Sequence, residues 1–256
     1  MAKEITVVPK EEFDIIYRDL CGKCLGEAFS DEKTASLMYG IYSSLAEASR
    51  HFNLTAITDA PGVAEKHIVD SVLPMKMLAD EKILQSGAKI IDIGAGAGFP
   101  TLPLAAAGTT GALPSVSVTA VDSTAKKVRY ITDTAAALGI PGVCALVGRA
   151  EELAHGELRE SADIVTARAV AALPVLVELC APLVMVGGVF AALKANCDGE
   201  VEAAAAGAEK LGLGAAVVTE YALPSGDRRT LVVYRKQRPT PAEYPRIFSK
   251  ISAKPL

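Results

Sequence analysis

Apolar positions recur every three or four residues through the first quarter of the chain, and in short runs or alternation through most of the rest. Phe13, Ile16, Tyr17, Leu20 and Cys24 share one helical face, and Leu37, Met38, Ile41, Tyr42 and Leu45 share another. The chain therefore reads as helical to about residue 60, broken by the Asp-Ala-Pro-Gly turn that closes "NLTAITDAPG" (Asn53–Gly62), with a further helix from Val63 to about Leu78. After this, strand and helix patterns alternate. "AKIIDIG", "SVSVTAVD" (Ser115–Asp122), "GVCALVG", "ADIVTA" (Ala162–Ala167), "GGVFAALK", "AAVVTEYAL" and "RTLVVYRK" read as strands. The intervening helices cover "FPTLPLAAAG", "STAKKVRYITDTAAALG", Ala171–Val186 and "EVEAAAAGAEKLG".

Alternating strands and helices predict an α/β fold, a doubly wound and mostly parallel seven-stranded sheet of Rossmann-like type. The last two strands are joined only by Pro224–Asp227, too short for a parallel crossover, so they should pair antiparallel. The expected organisation is an N-terminal helical extension packed on the core (1–65), the α/β domain (66–236) and a basic C-terminal tail (237–256).

Composition trims this picture. A hydrophobic half of 256 residues suffices for a large core and excludes global disorder. The apolar stretch Ala171–Leu193 holds Glu178, Pro174, Pro182 and Gly187-Gly188, so it reads as a buried helix, a turn and a buried strand rather than a membrane span. With no apolar leader in "MAKEITVVPKEEFD", a cytoplasmic protein without membrane contact is expected. The CxxC pair Cys21/Cys24 has no second ligand pair near it and follows the helical face, so both cysteines read as core. The net charge of −4 hides an asymmetry. From Arg228 to the end, eight basic residues face Glu243 alone, giving a basic tail on an acidic body, suited to a polyanion.

The chemistry gathers at "KIIDIGAGAGFPTLPLA" (Lys89–Ala105). A dinucleotide loop carries glycines at its first, third and sixth positions. Here Gly94 and Gly96 fill the first two, but Phe99 takes the sixth, and Pro100 removes an N–H that a phosphate would want. Asp92, just before the loop, repels phosphate and attracts an ammonium group. Asp122 ends the second strand, where it can accept both hydroxyls of a ribose. In "GRAEEL", a backbone N–H of Ala150 or Glu151 and the Glu151 carboxylate match the edge of an adenine. Together these residues describe a site for S-adenosylmethionine, a phosphate-free cofactor with a cationic head. An NAD-dependent enzyme is disfavoured by Phe99 and Pro100.

The acceptor side is less defined. Neither a proline-rich amino-methylation motif nor a nucleophilic cysteine follows the fourth strand, which instead delivers Arg168 in "TARAVA". Lys194 ends the fifth, and His67 in "EKHIVDS" lies near the cleft. Such a set suits an acceptor that is already nucleophilic, such as N7 of guanine, which needs in-line placement and no base.

The motifs "NLTAIT", "EKHIVDSV", "DIGAGAGFP", "VDSTAKKVRYI", "GRAEE", "VTARAVA", "ALKA" and "RKQRPTPAEYPR" occur in the order and spacing of the bacterial glucose-inhibited division protein B (GidB, or RsmG) family, which the chain resembles from about Asn53 to its end. The resemblance implies a class I S-adenosylmethionine-dependent methyltransferase that modifies N7 of one guanosine in 16S ribosomal RNA, with the small ribosomal subunit as partner and a monomeric state. It carries cofactor positions over to Gly94, Phe99, Ala150, Glu151 and Arg168. Two departures stand out. Thr101 replaces the glycine of the family's Phe-Pro-Gly, and the tail after Tyr-Pro-Arg reads "IFSKISAKPL" where a glycine and more lysines are usual. A small-molecule methyltransferase and a non-catalytic RNA-binding or assembly factor on the same fold are the alternatives.

Overall fold

The computed structural model describes residues 5–256, so the first four residues of the expected N-terminal segment lie outside it. Helices α1 (Lys10–Cys24), α2 (Glu27–Ser30) and α3 (Glu32–His51) come first. A continuous helical run follows, formed by α4 (Ala60–Gly62), the π-helical stretch Val63–Val69 and α5 (Asp70–Asp80). The expected boundary at residues 65 and 66 falls inside this run. Then come β1 (Lys89–Ile93), α6 (Thr101–Thr110), β2 (Ser117–Asp122), α7 (Ala125–Ala137), β3 (Val143–Val147), α8 (Ala150–Leu153), β4 (Ala162–Arg168) and α9 (Leu173–Cys180). The chain ends with β5 (Val184–Lys194), α10 (Glu200–Lys210), β6 (Leu213–Ala222), β7 (Arg228–Lys236) and α11 (Phe248–Ala253).

The seven strands form one sheet in the order β3-β2-β1-β4-β5-β7-β6. Neighbours are parallel from β3 to β5, and β7 runs antiparallel to both β5 and β6. The short link between the last strands does produce an antiparallel pair, and β7 inserts between β5 and β6. Alternate residues face opposite sides of the sheet. Ile90, Val118, Ile164 and Val189 enter one core with the N-terminal helices and α6. Ile91, Val121, Val165 and Phe190 enter the other with α9 and α10.

Helix α6 is apolar on every side from Leu102 to Ala107 because these turns have no solvent face: Leu102, Leu104, Ala105, Ala106 and Ala107 are all buried between the sheet and the N-terminal helices. The outer layer is set by large side chains. Phe13 stacks on Tyr42 with centroids 4.9 Å apart. Phe13, Tyr17, Met38 and Ile41 are fully buried, each such side chain contributing about 1.5–3 kcal/mol. Cys21 belongs to this layer, and burial pushes its thiol up to about 12. A thiol held protonated is a core group rather than a nucleophile.

Two expectations need correction. The helix expected over Ala171–Val186 is only Leu173–Cys180. Pro182 follows within a 3-10 turn, Ala181–Leu183, and β5 begins at Val184. Val184 pairs with Ala162, Val189 with Ile164, and the shift between them is a bulge carrying Gly187-Gly188. Gly187 has φ +92°, and a Cβ on Gly188 would stand 2.6 Å from the Asp163 carbonyl oxygen, so the pair is demanded by the bulge. Among the described residues no helix is long and apolar enough to cross a membrane.

The tail is the second correction. Residues 237–256 are not a free basic arm. Ile251 of α11 is fully buried against α9, and the Lys236 ammonium is buried between the Ala181 carbonyl, Thr240 Oγ1 and Glu160. Arg246 donates through Nε and Nη2 to both carboxylate oxygens of Glu178, at 2.8 and 2.6 Å. Glu178 has no solvent exposure. Arg246→Ala should therefore strand a buried carboxylate and cost about 3 kcal/mol, near the lower end for breaking a buried pair because Arg246 itself is partly exposed. Urea unfolding of the variant against the parent measures this loss.

Candidate active site

Both candidate cavities open along the C-terminal ends of the parallel strands, where α/β sheets bind ligands. The glycine loop leaves β1 and is fastened to β2. The N–H groups of Gly94 and Ala95 both donate to the Val121 carbonyl, at 2.8 and 3.0 Å. The Gly96 N–H donates to Asp122 Oδ2 at 3.0 Å, and the Thr124 N–H to Asp122 Oδ1 at 2.8 Å. Gly94 has φ +69°, and a Cβ there would meet Val170 Cγ2 at 2.5 Å. Glycine at this position thus lets the loop after β4 lie directly on the loop after β1.

Asp92 holds the loop from behind. It is 1% exposed, and its carboxylate accepts hydrogen bonds from Thr101 Oγ1 at 2.6 Å and Thr166 Oγ1 at 3.0 Å. Burial raises it to about 6, against the pull of both hydroxyls and of Arg168. This changes the role expected for Asp92: its carboxylate joins α6 and β4 to β1 instead of facing a ligand. Thr101, where the family pattern has glycine, supplies the shorter of the two bonds.

The first cavity, about 190 Å³, is walled by Gly94, Asp122, Ala150 and Glu151, with Val170, Leu179 and Phe248 adding apolar surface. It brings together four of the residues expected to hold a cofactor. Each Asp122 oxygen already accepts one backbone N–H, and its second lone pair can take a hydroxyl. The N–H groups of Ala150 and Glu151 open helix α8 and so have no carbonyl partner inside it. Two carboxylates beside the apolar surface of Val170, Leu179 and Phe248 suit a ribose and a flat base. The residues present therefore fit the nucleoside end of S-adenosylmethionine.

The second cavity, about 380 Å³, lies between Lys66 and His67 of the π-helical stretch, Asp70 at the start of α5, Arg168, Lys194, Tyr221 and Arg229. Arg168 is its centre. Nη1 donates to the Lys66 carbonyl at 3.1 Å and to Asp70 Oδ2 at 3.4 Å, while Arg229 Nε donates to Asp70 Oδ1 at 3.0 Å. Arg168 Nη2 lies 3.5 Å from His67 Nδ1, and His67 Nε2 is 2.9 Å from Thr55 Oγ1. With Nδ1 accepting, the imidazole hydrogen resides on Nε2 and points to Thr55. His67 stacks on Phe99 with centroids 4.8 Å apart, and the Arg168 guanidinium stands over the same ring at 5.6 Å. Burial, then the Arg168 charge, lowers His67 to about 4. Burial raises Asp70 despite its two arginines.

The other expected residues are distributed as follows. Gly96 serves the cofactor cavity through its N–H to Asp122. Arg168 lines the second cavity, and Phe99 supports it from beneath His67 and Arg168. Lys194 lines that cavity, but its ammonium contacts Glu200 at 2.9 Å and the Ala171 carbonyl at 3.1 Å, tying β5 to the loop after β4. Asp70, Arg229, Tyr221 and Phe248 were not singled out by sequence as site residues. A signal existed for Asp70, one turn from His67. Arg229 and Tyr221 come from the terminal strands, whose insertion order no local pattern reports.

Strand order, glycine loop and nucleoside cavity together define a class I S-adenosylmethionine-dependent methyltransferase. The fold is similar to that of TrmN from Thermus thermophilus, with TM-score 0.50 and 18% identity over 68% of this chain and 53% of that one. Residues 35–229 match the GidB family model, described as rRNA small subunit methyltransferase G. The chain is 42% identical to ribosomal RNA small subunit methyltransferase G of Lactobacillus delbrueckii subsp. bulgaricus, over 84% of this chain and 88% of that protein. It is 44% identical to the protein of that name from Deinococcus radiodurans, over 79% and 78%. The chain belongs to the GidB family.

A histidine depressed to about 4 in the fold and near 6.5 when unfolded makes the unfolded state bind more protons between those values. Its contribution to stability is lost as pH falls from 6.5 through 4. His67→Gln should flatten this acid limb, so that unfolding free energies measured at pH 7 and pH 4.5 differ less in the variant than in the parent.

Proposed function

We propose that the protein transfers the methyl group of S-adenosylmethionine to N7 of a guanosine in 16S ribosomal RNA, acting on the small ribosomal subunit. The observation that carries this reading is the pair of cavities at the C-terminal ends of the strands, one holding Asp122 and Glu151, the other walled by two arginines. Family membership supplies the RNA substrate and the N7 position.

Asp122 holds the ribose hydroxyls, and Glu151 with the N–H groups of Ala150 or Glu151 holds the adenine edge. Gly94 seats the loop after β4 against the loop after β1, while Gly96 and Asp92 keep the glycine loop in shape. When bound, S-adenosylmethionine supplies an electrophilic sulfonium methyl group. Guanine N7 carries an in-plane lone pair and no proton, so the protein needs no general base. The second cavity agrees: His67 has both ring nitrogens engaged and is neutral at pH 7. The Arg168 and Arg229 guanidinium groups are oriented by Asp70 and can donate to guanine O6, a strong acceptor beside N7, leaving the N7 lone pair free. Placement, then, is the chain's main contribution to rate.

Arg229, Lys236 and Arg246 of the last 29 residues are engaged inside the fold, so they are not free for the backbone of the RNA. Arg149 lines the cofactor cavity with its side chain 54% exposed, and Lys127, 32% exposed, stands 4.0 Å from Asp122. They suit phosphodiester contacts that weaken with salt. A target base inside a folded RNA must be splayed out to enter the cleft.

Incubation with labelled S-adenosylmethionine and unmodified small subunits should place 7-methylguanosine in 16S RNA. Label in a metabolite, with none in RNA, would favour a small-molecule enzyme. Absence of any cofactor binding would leave an assembly factor. Asp122→Ala should weaken S-adenosylmethionine binding by about 10- to 100-fold, the loss of charge-assisted hydrogen bonds, as read by calorimetry. Arg229→Met should leave cofactor affinity intact and lower methylation of the subunit.

A further inference from the structure

The residue that the fold adds to the cofactor cavity from furthest along the chain is Phe248, the first residue of α11. It falls in the part of the tail that departs from the family pattern. We propose that Phe248 forms a stacking wall for the adenine of S-adenosylmethionine, so that the C-terminal segment helps set cofactor affinity. This rests on the methyltransferase reading and adds to it a residue beyond the strand-end motifs.

Three observations carry it. First, the ring shares one cavity with Asp122, Ala150 and Glu151, the groups suited to the ribose and the adenine edge. Second, Phe248 is 38% exposed although aromatic, and it faces Arg149, whose guanidinium is 5.9 Å from the ring centroid. A flat, electron-poor base sliding against the ring would cover apolar surface that the free protein leaves in water. Third, the ring is held at both sides along the chain. Arg246 is clamped on buried Glu178, the Pro245 carbonyl lies 2.9 Å from His155 Nε2, and Ile251 is fully buried. A wall anchored in this way needs little ordering when the ligand arrives, which favours binding.

The chain contains no tryptophan. Phe248→Trp therefore gives a full-length protein with a single indole at the proposed contact. Titration with S-adenosylhomocysteine should change its emission to saturation, with the same midpoint as calorimetry. Phe248→Ala should bind S-adenosylhomocysteine about tenfold more weakly than the parent, the size expected for one aromatic contact. Phe248→Tyr should restore affinity, and Phe248→Leu, apolar but without a ring, should not. Loss of affinity through unfolding is separated by the melting temperatures of the ligand-free variants, which should match the parent's because the ring is half-exposed. Equal affinity of Phe248→Ala and parent, or an indole emission unmoved by saturating ligand, overturns the assignment while the methyltransferase reading stands. Failure of the parent itself to bind S-adenosylhomocysteine overturns both.

Discussion

The bridging of Arg168 and Arg229 by one buried carboxylate, Asp70, is the constraint around which the catalytic edge is arranged. Taking three charges out of water is costly, and the cost is offset only when every polar atom finds a partner in good geometry. Arg168 therefore reaches to the Lys66 carbonyl and His67 as well as to Asp70. Lys66 and His67 lie on the π-helical stretch Val63–Val69 and Asp70 follows it directly, so one helical run brings a backbone carbonyl and two side chains to one arginine. π-Helical insertions are found at functional sites for this reason. Phe99, under both His67 and Arg168, passes the arrangement on to the glycine loop. The helix before the sheet, the loop after β1 and the end of β4 are thus positioned by one set of contacts.

A second buried carboxylate does related work one layer down. Asp92 links the hydroxyls of Thr101 and Thr166, on α6 and β4. The glycine loop is curved by its own backbone freedom, but it is held by Asp92 behind it and Asp122 beside it. Thr101 shows how a departure from a family pattern can be absorbed. Where glycine would offer only close approach, threonine offers a hydroxyl to an acid that would otherwise have one donor fewer.

Much of this could be read from sequence because local periodicity and local chemistry agree. The apolar run around "KIIDI" and the alternation in "SVTAVD" mark strands, and the four-residue link after Leu223 marks an antiparallel pair. Asp122, Gly94, Ala150 and Glu151 share one cavity because each ends a strand, follows one directly or opens a helix, so chain order places them on one edge. Asp92 was misread for the same reason: a strand end says where a residue lies, not which way its carboxylate points. The tail was misread because charge counting treats a basic residue as solvated. Arg246, Lys236 and Arg229 are instead counter-charges to Glu178, Glu160 and Asp70, acids far away in sequence. Phe248 could not be found by motif, since an aromatic in a short terminal helix looks like any other until the fold brings it to the cavity.

The insertion of β7 between β5 and β6 has a temporal side. Growing chains are made from the N-terminus, and their parts fold as they become available. The first five strands, the glycine loop, Asp70 and Arg168 all precede residue 195, yet Asp70 gains its second guanidinium only from Arg229 on β7. Strand β6 has no partner in the sheet but β7, so both must wait for the end of the domain. The charge balance at the catalytic edge is accordingly among the last things the chain completes. A nascent chain halted before β7 would hold the glycine loop and leave Asp70 with Arg168 as its one guanidinium.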